Sequence, residues 1–137
     1  MLWHPSYRTR EQGTGSVPKS ILTVDDSKTI RDMVSFTLQK AGYAVTEAAD
    51  GAAGLAQVNK QKFDCIITDL NMPGLDGLAL TKAVRGSATN RATPVLLLTT
   101  EADPAKKTAG REAGATGWLV KPFNPDKLVE TVKKVCP

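Results

Sequence analysis

The 137-residue sequence has a single histidine, His4, and only two cysteines, Cys65 and Cys136. With that histidine near the start, no Ser-His or Cys-His pair can be assembled in the body of the chain, so activated serine or thiol hydrolysis is set aside. Two cysteines make no disulfide framework, and Cys65, inside an apolar run, reads as a small buried hydrophobe, which suits a reducing cytoplasm. A Walker A glycine-lysine loop is missing. Long hydrophobic runs are missing too: none approaches the roughly 20 residues a membrane helix needs. The opening stretch, MLWHPSYRTREQGTGSVPKS, has no continuous apolar segment for a signal peptide. A soluble cytoplasmic monomer without a membrane partner is therefore expected. Charge of one sign is scarce as well. The formal net charge is +4, and Arg8, Arg10 and Lys19 against Glu11 place half of it ahead of the folded part. The remainder is too mild to imply nucleic-acid binding.

What the sequence does have is the composition of one ordinary globular domain, 41% hydrophobic and 23% charged, with no room for a second. Residues 1–19 carry Gly, Ser, Pro, Thr and Arg without helical or strand period and read as a flexible N-terminal extension, leaving 20–137 as the domain. From Ser20 onward short apolar runs alternate with segments of helical period: ILTV then IRDMVSFTLQKAG, YAVTEA then AAGLAQVNK, FDCIIT then LALTKAVR, PVLLLT then PAKKTAGREAG, TGWLV then PDKLVETVKKV. Repeated strand-then-helix units predict an α/β fold with a five-stranded parallel sheet and five helices. The runs at 21–24, 65–67 and 95–98 are apolar without alternation, as strands covered on both faces are.

Helix boundaries follow from local chemistry. Asp103-Pro104 and Asn124-Pro125 each set a capping side chain before a proline at the first helical position. Gly42 and Gly114 suit left-handed caps ending the first and fourth helices. Ile30, Met33, Val34, Thr37, Leu38 and Ala41 share one face of the first helix, and Leu128, Val132 and Val135 one face of the last. The fourth helix offers mostly Ala105, Thr108, Ala109 and Ala113 as an inner face, so weak anchoring is expected there.

Four of the apolar runs end in polar groups: Asp25 and Asp26 after ILTV, Asp69 after CIIT, Thr99 after VLLL, and Lys121 after WLV. In a parallel sheet these endings share one edge, the edge where open α/β folds place ligands. Three carboxylates brought together repel one another unless a cation sits among them, and hard carboxylate oxygens suit Mg2+. Asp25, Asp26 and Asp69 are the candidate metal ligands, with the backbone carbonyl of Asn71. A carboxylate also serves as a nucleophile in covalent phosphate chemistry, with a lysine and a metal offsetting charge on the transferred oxygens. Asp69, Lys121 and Thr99 fit those roles. Singly, each has a plainer reading: an aspartate at a strand end usually caps a helix or forms a turn, and Asp26 suits both jobs. It is the combination on one edge that points to chemistry.

The segments LTVDDS, TDLNMPGLDG, LLLTTEAD and GATGWLVKPFNP resemble the receiver domain of two-component response regulators, in order and spacing, from about Lys19 to Cys136. The likeness is greatest to single-domain chemotaxis regulators of the CheY type. It implies a flavodoxin-like, doubly wound sheet of order 2-1-3-4-5. It also implies Asp69 as phosphoacceptor, a metal held by Asp25 and Asp26, Lys121 paired with the phosphoryl group, and a cis Lys121-Pro122 bond. Thr99 and Trp118 become switch residues, Trp118 standing where the family usually has Tyr or Phe. Asn71 and Glu101 occupy positions where the family tunes hydrolytic loss of the phosphoryl group.

The implied function is a phosphoacceptor switch fed by a histidine kinase and read by a target such as a flagellar motor component. Its only reactions are uptake of a phosphoryl group and its slow autodephosphorylation. A phosphate sink or shuttle in another relay is the alternative. An aspartyl-nucleophile phosphatase of the haloacid dehalogenase type is disfavoured, because its second carboxylate, two residues past the nucleophile, is here Asn71. For the partner surface, Lys106, Lys107, Arg111, Trp118, Lys127 and Lys133 suggest a basic face with one aromatic, suited to an acidic or amphipathic segment.

Overall fold

A computed structural model of the chain describes residues 2–3, 17–100 and 103–137. Strand and helix alternate throughout: β1 (Ser20–Val24), α1 (Lys28–Lys40), β2 (Ala44–Ala48), α2 (Gly51–Lys60), β3 (Cys65–Thr68), α3 (Gly77–Arg85), β4 (Val95–Thr99), α4 (Pro104–Ala113), β5 (Gly117–Val120) and α5 (Pro125–Val135). The strands form one parallel sheet of order β2-β1-β3-β4-β5. Winding reverses after β2, so the loops leaving β1 and β3 part in opposite directions and open a crevice between them.

The unbroken apolar runs are the central strands, as helices on both faces require. Ile21, Ile67 and Leu96 point into a layer completed by Val34 and Leu38 of α1 and by Leu128 and Val132 of α5. Leu22, Ile66 and Val95 point the other way, against Val58 of α2 and Leu80 and Val84 of α3. Burying each such side chain contributes about 1.5–3 kcal/mol. A smaller cluster of Leu70, Leu97, Ala115 and Trp118 lies apart from both. Cys65 is fully buried.

The expected caps are present. Asp103 accepts from the Ala105 N–H at 2.8 Å and Asn124 from the Lys127 N–H at 3.1 Å, each cap contributing about 1 kcal/mol. Gly42 and Gly114 lie at φ 99° and 104°, the left-handed region where a Cβ is strained.

Three details differ from the sequence reading. Met33 and Ala41, assigned to the inner face of α1, are exposed, Met33 at 48%, while Val34 and Leu38 of that face are buried as expected, together with Ser35. Within α4, Ala105 and Thr108 are exposed, and the residues that go under are Gly110 and Ala113. Finally, Leu2 and Trp3, within the stretch read as an extension, lie against β5: Leu2 bridges Gly117 and the Trp3 N–H donates to the Thr116 carbonyl at 2.8 Å.

Candidate functional site

The acidic site forms where β1 and β3 end side by side. Val24 pairs with Thr68, and the Asp69 N–H donates to the Val24 carbonyl at 2.9 Å, carrying the pairing one residue past the strands. Asp25 and Asp69 are thereby held buried while Asp26 turns outward, and the three carboxylates offer oxygens within 4.8 Å of one another. The Asp25 carboxylate also accepts from the Ser27 N–H at 2.9 Å. Ser27 caps α1 by accepting from the Ile30 N–H. The capping job considered for Asp26 therefore falls to Ser27.

Opposite the acids, the backbone of β5 delivers Lys121. The Lys121 N–H donates to the Thr99 carbonyl at 2.9 Å, and the following peptide bond to Pro122 is cis. The Lys121 Nζ lies 2.8 Å from Asp25 Oδ2 and 3.5 Å from Asp69 Oδ2, with both carboxylates almost fully buried. Burial pushes the Asp69 carboxyl up from its ordinary range; Lys121 pulls it back, and Asp25 pushes it up again. A charged Asp69 is thus held in an environment that favours losing some of that charge, by protonation or by a cation. Divalent cations such as Mg2+ prefer one or two carboxylates with waters completing the shell, and two buried acids beside an outward-facing one fit that preference.

The loop after Asp69 is fixed at its far end. Asp76 caps α3 by accepting from the Ala79 N–H at 2.9 Å, and the Gly77 N–H donates to the Leu70 carbonyl at 2.9 Å. A Cβ on Gly77 would overlap the backbone carbonyl of Asp69, so only glycine permits α3 to start this close to the site. Asn71 is exposed within this loop, two residues past Asp69. Thr99, fully buried, ends β4 on the same edge. Glu101 lies outside the described residues.

Arg31 was not singled out from sequence. Its Nη1 donates to the Asp25 carbonyl at 2.7 Å and its Nε lies 3.4 Å from Glu47, so a second cation borders the acids. It sits six residues after Asp25 on the next helix, where nothing in the local pattern separates it from a solvated arginine.

The partner surface needs two corrections. Trp118 is only 4% exposed, covered by Trp3 at a ring separation of 6.0 Å and by the Lys107 ammonium at 5.8 Å. Its indole is a floor beneath α4, not part of an exposed face. Lys133 lines a groove between α1 and α5, together with Met33, Phe36, Phe123 and Val129. Lys106, Arg111 and Lys127 are exposed.

Comparison with known proteins gives a consistent result. The model of the family described as response regulator receiver domain matches residues 21–133. The chemotaxis protein CheY of Pseudomonas aeruginosa is 38% identical over 116 residues, covering 84% of this chain and 94% of that protein. The transcriptional regulatory protein ResD of Bacillus subtilis is 37% identical over 82% of this chain, which spans only 46% of ResD. Among solved structures, the chemotaxis protein CheY4 of Vibrio cholerae superposes with a TM-score of 0.83 at 53% identity, covering 87% of this chain and 99% of that one. The receiver domain of sensor histidine kinase PA1611 from Pseudomonas aeruginosa, with a magnesium ion coordinated in its active site cleft, gives 0.82 at 28% identity, covering 88% of this chain and 98% of that one.

Proposed function

Because this chain belongs to the response regulator receiver domain family, we propose that Asp69 accepts a phosphoryl group from a histidine kinase and that the modification alters a partner-binding surface. The observation that carries this reading is the Lys121 ammonium set between Asp25 and Asp69 at 2.8 and 3.5 Å, on the edge where three carboxylates meet. Asp25, Asp26 and Asp69, with the backbone carbonyl of Asn71, are the residues to hold Mg2+. When bound, the ion supplies positive charge to the oxygens of the group in transfer.

The chain's own residues do the rest. An Asp69 carboxylate oxygen forms the new bond to phosphorus as the P–N bond to the donor histidine breaks and its imidazole leaves, and Asp25 keeps the Lys121 ammonium in place until phosphoryl oxygens compete for it. Thr99, buried at the end of the neighbouring strand, is the hydroxyl to donate to one of those oxygens. Its engagement favours one arrangement of the following loop and of α4, a population shift transmitted toward Trp118. Asn71 and Glu101 tune the water that later removes the group. This is a signalling cycle on the protein itself, not turnover of a separate substrate.

The donor must dock beside the mouth of the site. The open groove of about 820 Å³ between α1 and α5 suits that task. α1 begins two residues after Asp26, and Phe123 follows Lys121 by two, so one wall is joined to the acids and the other to the lysine that faces them. The exposed Met33 and Phe36 supply an apolar surface there. Coverage of 94% of a chemotaxis CheY and 99% of CheY4 supports a chemotaxis regulator of residues 20–137, acting on a motor-type target in the cytoplasm.

Intact mass of the protein with Mg2+ and acetyl phosphate tests the chemistry. One added phosphoryl group is expected, abolished by Asp69→Asn and by chelation of the metal. An adduct that survives Asp69→Asn overturns the assignment of the acceptor.

A further inference from the structure

At the edge of the sheet opposite the acids, the two cysteines of the chain come together inside the main core. Cys65 opens β3, paired with Ile21 of β1, and Cys136 follows the last turn of α5. Both are reduced, and both belong to the cluster that holds Leu38, Val132 and Val135. The Cys65 thiol is hydrogen-bonded to Cys136, and that contact, with burial, pushes it up from the ordinary thiol range. Tyr43, packed against the same cluster, is pushed up to about 12, by burial first and then by the charge either neighbouring cysteine can carry. Three titratable side chains thus meet in an apolar layer that the phosphoacceptor reading leaves unused.

The two sulfurs are not equivalent. Cys65 is fully buried, whereas Cys136 is 8% exposed and sits past the end of α5, its N–H donating to the Val132 carbonyl at 2.9 Å. Helix ends fray, and opening that turn bares the Cys136 sulfur while β3 stays paired. Because it accepts the Cys65 hydrogen, Cys136 is the sulfur that carries negative charge more easily, and the thiolate is the nucleophile. Cys65, kept protonated, is placed to react second. A reachable thiol with a second one poised beside it is the pattern of oxidant-sensing cysteines.

We infer that Cys136 and Cys65 form a redox site at which a hydroperoxide is reduced and the two thiols become a disulfide. The Cys136 sulfur attacks one peroxide oxygen: the S–O bond forms as the O–O bond breaks, and the departing oxygen takes the thiol proton and leaves as an alcohol, or as water from hydrogen peroxide. The Cys65 sulfur then attacks the sulfenic sulfur of Cys136: the S–S bond forms, the S–O bond breaks, and hydroxide leaves with the Cys65 proton as water. Two electrons pass from the thiols to the peroxide. The bond ties the end of α5 to the start of β3, the strand that delivers Asp69 at its other end. Closing so long a loop restricts the unfolded chain, so the oxidised domain is the more stable one, and in reducing surroundings the bond is transient. This assignment goes beyond the phosphoacceptor reading and stands without it, so its test uses neither Mg2+ nor a phosphodonor.

The full-length protein is treated with hydrogen peroxide in native buffer, then denatured, and its thiols are counted by alkylation and intact mass. Both thiols are expected to be alkylated before treatment, neither after it, and both again after dithiothreitol, with Cys65 and Cys136 in one cross-linked peptide of a single chain. The oxidised protein should melt about 5–15 °C above the reduced one. The order of attack is read in single variants. Cys65→Ala should accumulate a sulfenic acid at Cys136 that dimedone labels, and Cys136→Ala should leave Cys65 unlabelled at the same peroxide dose. Thiols that stay open to alkylation after peroxide, thiols that dithiothreitol fails to restore, a cross-link only between chains, or one that forms only in denaturant each overturns the proposal. A disulfide that does not raise the melting temperature overturns its fit to the native fold, and dimedone labelling of Cys65 in preference to Cys136 overturns the order of attack.

Discussion

α4 and α5 begin alike and are held differently. Each opens with a capping side chain, Asp103 or Asn124, followed by proline, and the two are 10 and 11 residues long. α5 then buries Leu128, Thr131, Val132 and Val135, whereas α4 buries only Gly110 and Ala113. Large side chains on α5 interlock with the main core, so movement there leaves cavities. Beneath Gly110 of α4 the neighbours are Leu97 and Trp3, and at its end Arg85 of α3 donates to the Gly114 carbonyl at 3.0 Å, so displacing this helix would put little apolar area of its own at stake. The site lies between a firm wall and a loosely held one, an arrangement suited to turning a local charge change into movement on one side only.

Breaking the firm wall gives the largest effect. Leu128→Ala is expected to destabilise the whole domain by about 2–5 kcal/mol, visible as a lower denaturant midpoint with a single transition. Ala113→Gly on α4 is the matched change. It should cost about 1 kcal/mol, the difference in helix propensity, and appear as faster amide exchange in α4 with little change in the midpoint. Equal global losses would end the contrast between the two helices.

A change smaller in effect than Leu128→Ala sharpens the contrast from the other side. A Cβ on Gly110 would press into the Leu97 side chain beneath it and approach the Trp3 ring. Gly110→Ala should therefore cost about 1–3 kcal/mol through overpacking, despite the gain in helix propensity. It should also lift the Trp3 contact, read as a change in indole fluorescence.

Much of this was legible in the sequence, and the failures have physical reasons. Caps and glycine stops depend on adjacent residues, so Asp103, Asn124, Gly42 and Gly114 could be placed from local order alone. The acids, Thr99 and Lys121 could be brought to one edge because a parallel sheet puts every strand's end on the same side. The inner face of α4 was misjudged because alanine carries little hydrophobic contrast, and its phase is set by what the sheet presents below Gly110. Met33 looked buried because helical period assigns a face, not a neighbour; α1 turns that residue to the open groove. The cover over Trp118 depends on pairing between Leu2 and Gly117, a long-range contact between elements that no local pattern announces.

At the site itself, removing one acid is expected to stabilise the protein. Asp69 is buried and faces Asp25, while Lys121 keeps its 2.8 Å contact to Asp25 if Asp69 loses its charge. In metal-free buffer at pH 7, Asp69→Asn should raise Tm by about 2–5 °C, on the scale expected from about 1 kcal/mol. The folded-state carboxyl lies above the unfolded value of 3.8, so the folded protein binds more protons as the unfolded chain starts to ionise. Stability of the unmodified protein relative to Asp69→Asn therefore falls as pH rises from 3.8 through the raised value, and the two converge below it. Added Mg2+ should narrow the gap at pH 7 by stabilising the unmodified protein more than the variant. A gap that widens on acidification would show that burial does not hold Asp69 toward its neutral form.

The smallest effect tests whether charge supplies some of the anchoring that α4 lacks in apolar area. Lys107 is half-buried with its ammonium 5.8 Å above the Trp118 ring, while on α5 Lys134 pairs with Glu130 at 3.3 Å with both side chains exposed. A cation over an indole contributes about 0.5–1 kcal/mol, and an exposed pair one helical turn apart about 0.3–0.5 kcal/mol. Lys107→Met keeps the stem and deletes the charge. Its expected signature is faster amide exchange confined to α4 and altered tryptophan emission, with the denaturant midpoint nearly unchanged. Lys134→Met should leave α5 exchange as it was, because that helix is held by Leu128 and Val132. If the two variants behave alike, the ammonium is not a tether for α4, and Gly110 and Ala113 hold the helix without it.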